Sequence, residues 1–323
     1  MKRREFIAGS TALLTYAISS RAVAAKQWRI GEVFGGNPGQ IFASALGQAL
    51  LDLGYIDGKG IRLQTRFAAP SPDGQKEAIL ALLPNIDLLV VHGTLGGVVA
   101  KSVASQIPVV FISVGAPVDI GLVQSLSHPG GNMTGTTFEA ASETYGKRLQ
   151  LLKEILPDLS RVAVLGARGD PNVPFAIKSL EASAPSLGIS LTLLETGSAD
   201  DLLGAFDKMR QSQTRALVVV AGVLTFANSK AIAELALTNG LPSCHGFKET
   251  VAAGGLISLG PDLQAVTRQG AGLVDKIIKG ARPADLPVEQ PTEYVMAINL
   301  KTAKTLGLTI PPSLLARADE VIE

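Results

Sequence analysis

Residues 86–113 read IDLLVVHGTLGGVVAKSVASQIPVVFIS, and this stretch decides the fold. Two short apolar runs, 86–91 and 108–113, are rich in β-branched residues, which favours buried strands. The segment between them carries apolar residues at helical spacing, and a helix is predicted over 98–105. A strand, a helix and a second strand in this order predict a βαβ unit with parallel strands.

The same alternation extends in both directions along the chain. Before this unit, strands are predicted at 29–34 and 61–67, and helices at 40–53 and 73–83. After it, a helix at 143–156 begins a second series. This series has strands at 161–165, 190–195, 216–220, 241–245 and 256–259, helices at 174–187, 200–211, 228–239 and 263–279, and a late extended segment at 293–298. The chain is therefore predicted to form two α/β lobes of similar size.

Composition excludes several classes of protein. Hydrophobic residues make up 46% of the 323 residues and charged residues 18%, which is enough for two cores and argues against disorder. A formal net charge of +1 gives no electrostatic footprint for nucleic acid or an anionic membrane, so neither is expected as a partner. The single cysteine, Cys244, excludes an internal disulfide and is expected to be a small buried hydrophobe rather than a nucleophile.

The first 25 residues are predicted to be a cleaved export signal. Residues 2–4 are charged, residues 7–20 are mostly apolar, and small residues place the cleavage near Ala24 or Ala25. The apolar run is shorter than the roughly 20 residues that a membrane span requires. The paired arginines resemble the twin-arginine class of signals, whose cargo crosses the membrane already folded. The mature chain is thus expected in the periplasm.

Loops at the carboxyl ends of the strands are the predicted ligand site, because doubly wound sheets bind ligands there and two facing lobes would form a cleft. The loops are 35–38, 93–95, 114–117, 166–172, 221–224, 245–246 and 260–262. The candidate ligand-binding residues in and beside them are Phe34, Asn37, Gly93, Thr94, Gly115, Ala116, Arg168, Asp170, Asn172, Gly222, Val223, His245 and Asp262.

Several of these candidates also have a purely structural interpretation. His245 contacts ligand or is a half-buried histidine bonded to the backbone. Asp170 and Asn172 contact ligand or serve ordinary turn chemistry. Thr94 caps its helix, contacts ligand or does both, since a helix N-terminus is itself an anion site. Phe34 is alternatively a core residue, and the candidate glycines mark tight turns unless they face the cleft.

The sequence carries no motif for a cofactor or a metal. Residues 35–39, GGNPG, do not match a dinucleotide-binding loop, and Pro38 removes an amide donor there. No Walker lysine follows a glycine loop, Gly-x-Ser-x-Gly is absent, and the three histidines have no second ligand at metal-binding spacing. We therefore predict a protein without cofactor or metal that is not an enzyme.

Several motifs together resemble a known family. They are YIDG at 55–58, IPVVF at 107–111, GLVQSL at 121–126, PGGNMTG at 129–135, GKRL at 146–149, LLKE at 151–154, AGGL at 253–256, PADLPVEQP at 283–291, NLKTAK at 299–304 and IPPSLLARADE at 310–320. On these residues, essentially the whole mature chain is similar to the ABC transporter substrate-binding proteins of the tryptophan/tyrosine-binding-like group.

That resemblance implies a type I periplasmic binding protein, with two Rossmann-like lobes joined by a multi-strand hinge. Lobe one would take residues 26–138 plus 256–285, and lobe two 139–255 plus 286–323. The implied function is the periplasmic substrate-binding component of an ABC importer, a monomer that carries a small ligand to an inner-membrane permease. A periplasmic enzyme on the same scaffold and a ligand sensor for a receptor kinase stay open as alternatives.

One motif departs from the family pattern. Members commonly carry Gly-Asp-Pro-Val after the fourth strand, whereas this chain reads GAPV at 115–118 and has Ala116 in place of the acid. If that acid pairs with a ligand ammonium, its loss favours an aromatic or aliphatic acid without an amine over an amino acid.

The resemblance also suggests how such a ligand would be held. Its anion would meet backbone amides at the loop-to-helix turns near Thr94 and Gly115, with Arg168 as a further candidate. Its apolar part would lie on Phe34 and Val223.

Overall fold

The structure is a computed structural model that describes residues 27–36, 45–139 and 143–323. The predicted export signal with its cleavage site, the candidate Asn37 and the start of the predicted helix at 40–53 lie outside the described residues. No helix in the described ranges is both long enough and apolar enough to cross a membrane.

The first lobe is built on a six-stranded parallel sheet. Its strands are β1 (Trp28–Gly35), β2 (Ile56–Asp57), β3 (Gly60–Ala68), β4 (Leu88–His92), β5 (Val109–Gly115) and β6 (Met133–Glu139), in the order β2-β3-β1-β4-β5-β6. Its helices include α1 (Ala45–Asp52), α2 (Pro72–Leu82) and α3 (Gly93–Val103). Ile30 and Val33 are fully buried on opposite faces of β1, because helices cover both faces of the parallel sheet.

The second lobe is built on a seven-stranded mixed sheet. Its strands are β7 (Arg161–Ala167), β8 (Ser190–Thr196), β9 (Ala216–Val219), β10 (Ser243–His245), β11 (Ile257–Pro261), β12 (Tyr294–Asn299) and β13 (Glu320–Ile322), in the order β13-β12-β11-β10-β9-β7-β8. Only the β11–β12 pair is antiparallel. The remaining helices are α4 (Glu143–Ile155), α5 (Asn172–Ser183), α6 (Leu202–Gln211), α7 (Val223–Ala227), α8 (Ser229–Thr238), α9 (Lys248–Ala252), α10 (Leu263–Ile278), α11 (Leu300–Thr305) and α12 (Pro312–Leu315).

The structure corrects one part of the predicted lobe boundaries. The prediction placed 256–285 in the first lobe, but β11 pairs with β10 and β12 in the seven-stranded sheet. Helix α10, which follows it directly, packs instead against α1 and β5 of the first lobe. The strand pattern alone does not reveal this change of lobe, because a buried apolar strand fits either sheet.

A buried ion pair spans another crossing between the lobes, from β6 to α4. The Arg148 Nη1 lies 3.1 Å from the Glu139 Oε1, and both side chains are fully buried. The Arg148 Nε also donates to the Leu259 carbonyl oxygen at 3.0 Å, and its guanidinium carbon lies 4.4 Å from the Tyr145 ring centroid. Burial raises the pKa of Glu139, and the Arg148 charge opposes that rise. The pair therefore ties β6, α4 and β11 together.

Of the elements that differ from the sequence prediction, β6 and α3 do so for identifiable reasons. Strand β6 was not predicted, because its sequence MTGTTFE is polar although every residue in it is buried. The Thr134 hydroxyl donates to the Leu286 carbonyl and the Thr137 hydroxyl to the Glu139 carbonyl, which satisfies these groups inside the fold. Helix α3 begins at Gly93 rather than 98, and a Cβ on Gly97 would lie only 3.1 Å from Leu122. Its glycines therefore permit close packing rather than mark a loop.

Candidate functional site

A cavity of about 80 Å³ lies between the lobes, at the carboxyl ends of the central strands. Four phenylalanines line it, Phe34 and Phe138 from the first lobe and Phe226 and Phe247 from the second. The Phe138 and Phe247 rings meet edge to face across the two lobes, with centroids 5.5 Å apart. The cavity is therefore an aromatic space that neither lobe forms alone.

The polar end of the cavity is the start of α3. Gly93 and Thr94, the first two residues of this helix, line the cavity, and the N-cap residue His92 makes no side-chain hydrogen bond to the first turn. The Thr94 Oγ1 instead accepts from the Gly115 N–H at 3.0 Å, which fixes the end of β5. Because the first amides of a helix have no intrahelical partner, this end of the cavity suits an anionic group.

His92 is held rigidly in the cavity wall. Its Nε2 lies 2.9 Å from the Glu32 Oε1, and the Thr65 hydroxyl donates to the Glu32 Oε2 at 2.7 Å. The three residues come from the adjacent strands β4, β1 and β3. The His92 ring also packs against Phe34, with centroids 4.9 Å apart. The hydrogen bonds that hold His92 therefore also position the Phe34 ring in the cavity wall.

Asp170 lies immediately behind the cavity wall in the second lobe. A Cβ on the cavity residue Gly222 would lie 2.5 Å from the Asp170 Oδ2. The Asp170 Oδ1 accepts from the Asn172 N–H at 2.9 Å, and in the described part of the chain no ion pair joins Asp170 to a basic side chain. Burial raises the pKa of Asp170 from 3.8 to about 6. The site thus holds a desolvated carboxyl group without a cation.

Asn172 adds a second acceptor on the same lobe. Its Nδ2 donates to the Tyr145 hydroxyl at 3.0 Å and to the Ala221 carbonyl at 2.8 Å, which uses both donors. Its buried Oδ1 has no hydrogen-bond partner and lies 2.3 Å from the position that a Cβ on Gly115 would take. Asn172 therefore brings an unused acceptor to the contact between the lobes.

Val223 of the second lobe packs against two glycines of the first lobe. Its Cγ1 lies 2.2 Å from the position that a Cβ on Gly35 would take, and its Cγ2 lies 3.0 Å from that position on Gly93. Gly93 also has φ +78°, which disfavours any other residue there. The valine side chain thus fits a socket that exists only because both first-lobe residues are glycines.

The structure places the remaining sequence-predicted residues outside the cavity wall. Ala116 lines a separate groove between the lobes, and Arg168 is exposed beside Gly197. His245 is buried with its Nε2 3.0 Å from the Ser243 Oγ, and burial lowers its pKa to about 4.

Asp262 serves as a helix cap rather than a cavity wall. It accepts from the Ala265 N–H at the start of α10 and pairs with Lys248 at 3.0 Å. Of the predicted residues, Phe34, Gly93, Thr94, Gly222 and Val223 line the cavity. Asp170, Asn172 and Gly115 lie directly behind it.

Sequence reasoning missed Phe138, Phe247, Leu263 and Thr267, which also line the cavity. Phe138 is near the end of the unpredicted strand β6, and Leu263 begins α10, where the chain has just changed lobe. A signal was available for Phe247, because it follows the predicted 241–245 strand by two residues. In the described ranges, no group of three or more His, Cys, Asp or Glu residues is placed to hold a metal ion.

Two α/β lobes with mainly parallel sheets and a cavity between them define the type I periplasmic binding protein fold, as predicted. The model of the ABC transporter substrate binding protein family matches residues 41–322, so the chain belongs to that family. The predicted resemblance to the tryptophan/tyrosine-binding-like group is likewise confirmed.

Three relatives illustrate the likeness. A tyrosine-binding protein of Clostridioides difficile (strain R20291) is 26% identical over 269 residues, which are 81% of this chain and 75% of that protein. The crystal structure of an ABC domain in complex with L-Trp from Streptococcus pneumonia is 22% identical, with a TM-score of 0.82 over 91% of this chain and 100% of the other. The ligand-free, open structure of a substrate binding protein with adhesive properties from Clostridium difficile is 20% identical, with a TM-score of 0.64 over 91% and 99%.

Proposed function

We propose that this protein is the periplasmic substrate-binding component of an ABC importer and binds one carboxylate-bearing aromatic ligand between its lobes. The observation that carries the proposal is the cavity itself, where the uncapped start of α3 faces four phenylalanines drawn from both lobes. Relatives described as tyrosine-binding and as complexed with L-Trp support an aromatic ligand.

The ligand carboxylate would lie against the first-turn amides of α3, at Gly93 and Thr94, where the helix dipole favours negative charge. Its aromatic body would fill the space between the phenylalanine rings. Because both lobes contact the ligand only when they meet, binding stabilises the closed form. This role is not enzymatic.

The second lobe favours an amino acid over a simple acid. The Asp170 carboxyl is buried without a cation, and the Asn172 Oδ1 is buried without a donor. A ligand ammonium group next to Gly222 would supply the cation that Asp170 lacks, which removes an unfavourable desolvation. The loss of an acid at Ala116 does not weaken this case, because Ala116 lies in a different groove.

The transport role requires partners and a location outside the cytoplasm. We propose that residues 1–25 direct export and are removed near Ala24 or Ala25. The mature protein would be a monomer with the predicted lobe boundaries, except that β11 belongs to the second lobe. It would then dock in its closed form on an inner-membrane permease.

A ligand panel tests the binding role directly. L-Tryptophan, L-tyrosine and L-phenylalanine should each be compared with the matching acid that lacks the amine, such as 3-phenylpropanoate, by thermal shift and calorimetry. An aromatic amino acid at 100 times its Kd should stabilise the protein by about 2.7 kcal/mol, and its deaminated partner should bind more weakly. If none of these compounds raises the Tm, the proposed function is wrong. Deleting the gene and measuring uptake tests the transport step.

A further inference from the structure

Gln75 is a buried polar side chain to which the site as described gives no role. It lies in the first turns of α2 and has no exposed surface. Neither its Nε2 nor its Oε1 has a hydrogen-bond partner. Buried amides are almost always paired, and leaving one unpaired costs free energy comparable to a lost hydrogen bond. Such a group requires a partner that the protein itself does not provide.

The Gln75 amide faces the cavity end of the first lobe through two glycines. A Cβ on the cavity residue Gly35 would lie 2.7 Å from the Gln75 Nε2. A Cβ on Gly96, in the first turns of α3, would lie 3.4 Å from the Gln75 Oε1. Neither glycine carries a side chain, so the Gln75 amide lies beside the backbone of β1 and of the first turns of α3.

Closure of the lobes isolates this amide from water. The Val223 Cγ1 of the second lobe lies 2.2 Å from the same Cβ position on Gly35, so it packs directly over the Gln75 side of the cavity. In the open form, water can pair with the amide. In the closed form, Val223 packs over this side and excludes water, and neither amide atom has a partner among the described residues.

The cavity also lacks the usual partner for an anion. Among the described residues that line it there is no lysine or arginine. A carboxylate bound at α3 must therefore be held by neutral donors, and it has more lone pairs than the first-turn amides of Gly93 and Thr94 use. We infer that Gln75 is a ligand-binding residue whose Nε2 donates to the ligand carboxylate at the start of α3. This inference rests on the proposed function.

The test compares Gln75→Met with the wild type and with Ser258→Ala. Methionine fills a similar volume without polar atoms, and Ser258 is a matched control because its Oγ is likewise buried without a partner but does not line the cavity. The expected result is that Gln75→Met weakens the binding of L-tryptophan whereas Ser258→Ala does not. The weakening should be roughly 10- to 150-fold, the range for a hydrogen bond to a charged group.

Tryptamine, which lacks the carboxylate, isolates the interaction. Gln75→Met should leave tryptamine binding unchanged, and Gln75→Asn, which keeps a shorter amide, should bind L-tryptophan with intermediate affinity.

The remaining outcomes separate this inference from the function on which it rests. Unchanged L-tryptophan affinity in Gln75→Met, or an equal loss with tryptamine, would overturn the role of Gln75 and leave the function standing. Absence of any response of the wild type to L-tryptophan, L-tyrosine and L-phenylalanine would overturn both.

Discussion

Gly35→Ala should weaken ligand binding by obstructing the contact between the lobes. The added Cβ would lie 2.2 Å from the Val223 Cγ1, whereas ordinary contact begins near 3.4 Å, so the lobes must part by roughly 1 Å at this point. Overpacking of this kind costs typically about 1–3 kcal/mol. Because Val223 meets Gly35 only when the lobes are together, the cost falls on the closed form and should lower affinity about 5- to 150-fold.

The new Cβ of Gly35→Ala would also lie 2.7 Å from the Gln75 Nε2, so it creates a second clash within the first lobe. A second substitution, at Val223, separates the clash between the lobes from this one. Val223→Ala removes both γ carbons, so the double variant Gly35→Ala/Val223→Ala should recover most of the affinity that the single variant loses. Isothermal titration calorimetry with the tightest ligand of the panel gives the affinities.

Gly47→Ala is the matched control for Gly35→Ala. It adds a methyl group within α1 at an ordinary 3.5 Å from Leu63 and should leave affinity unchanged. Wild-type affinity in Gly35→Ala, or a double variant as weak as the single one, would refute the proposed closure contact.

Three further predictions concern buried charges. Affinity for an aromatic amino acid should be constant above pH 6 and fall by up to about tenfold per pH unit below it. The reason is that the Asp170 carboxyl, with its pKa raised to about 6, must lose its proton to bind an ammonium. Calorimetry from pH 5 to 8 should show a flat profile for Asp170→Asn. The same rise from 3.8, roughly two pH units, means that ionised Asp170 costs the fold at most about 3 kcal/mol at pH 7. Asp170→Asn should therefore stabilise the ligand-free protein to urea at pH 7, with the gain vanishing as the pH falls from 6 towards 4. Arg148→Met should destabilise by about 3–5 kcal/mol because it leaves Glu139 buried without its partner, and Arg29→Met, which breaks an exposed pair with Asp87, should cost far less in the same urea titration.

The sequence predicts the lobes well where strands are apolar. The predicted strand at 61–67 became Gly60–Ala68, and the predicted helix at 263–279 became Leu263–Ile278. Hydrophobic periodicity did not predict β6, because its threonines give the strand a polar sequence although they are buried and donate to backbone carbonyls. It also could not assign β11 to a sheet, because pairing between distant strands leaves no mark in a local pattern.

The cavity was harder to predict than the fold. The rule that ligands bind at the carboxyl ends of strands directed attention to Phe34, Gly93 and Gly222, and all three line the cavity. The rule does not say which way a side chain points. His245 was predicted to face the cleft, but it lies buried beside Ser243 instead of in the cavity wall. Gln75 has no sequence signal at all, since its importance comes from missing partners that only the packing reveals.

The division of the aromatic wall between the lobes bears on how cargo preference diversifies. Phe226 and Phe247 lie on or beside the five-residue helices α7 and α9, whereas the amides proposed to bind the ligand carboxylate belong to α3 in the first lobe. Substitutions at these two positions alter the shape offered to the ligand ring without touching the group that holds its acid. If the proposed function holds, ligand preference can therefore change during evolution through the second lobe while the carboxylate-binding turn of the first lobe is retained.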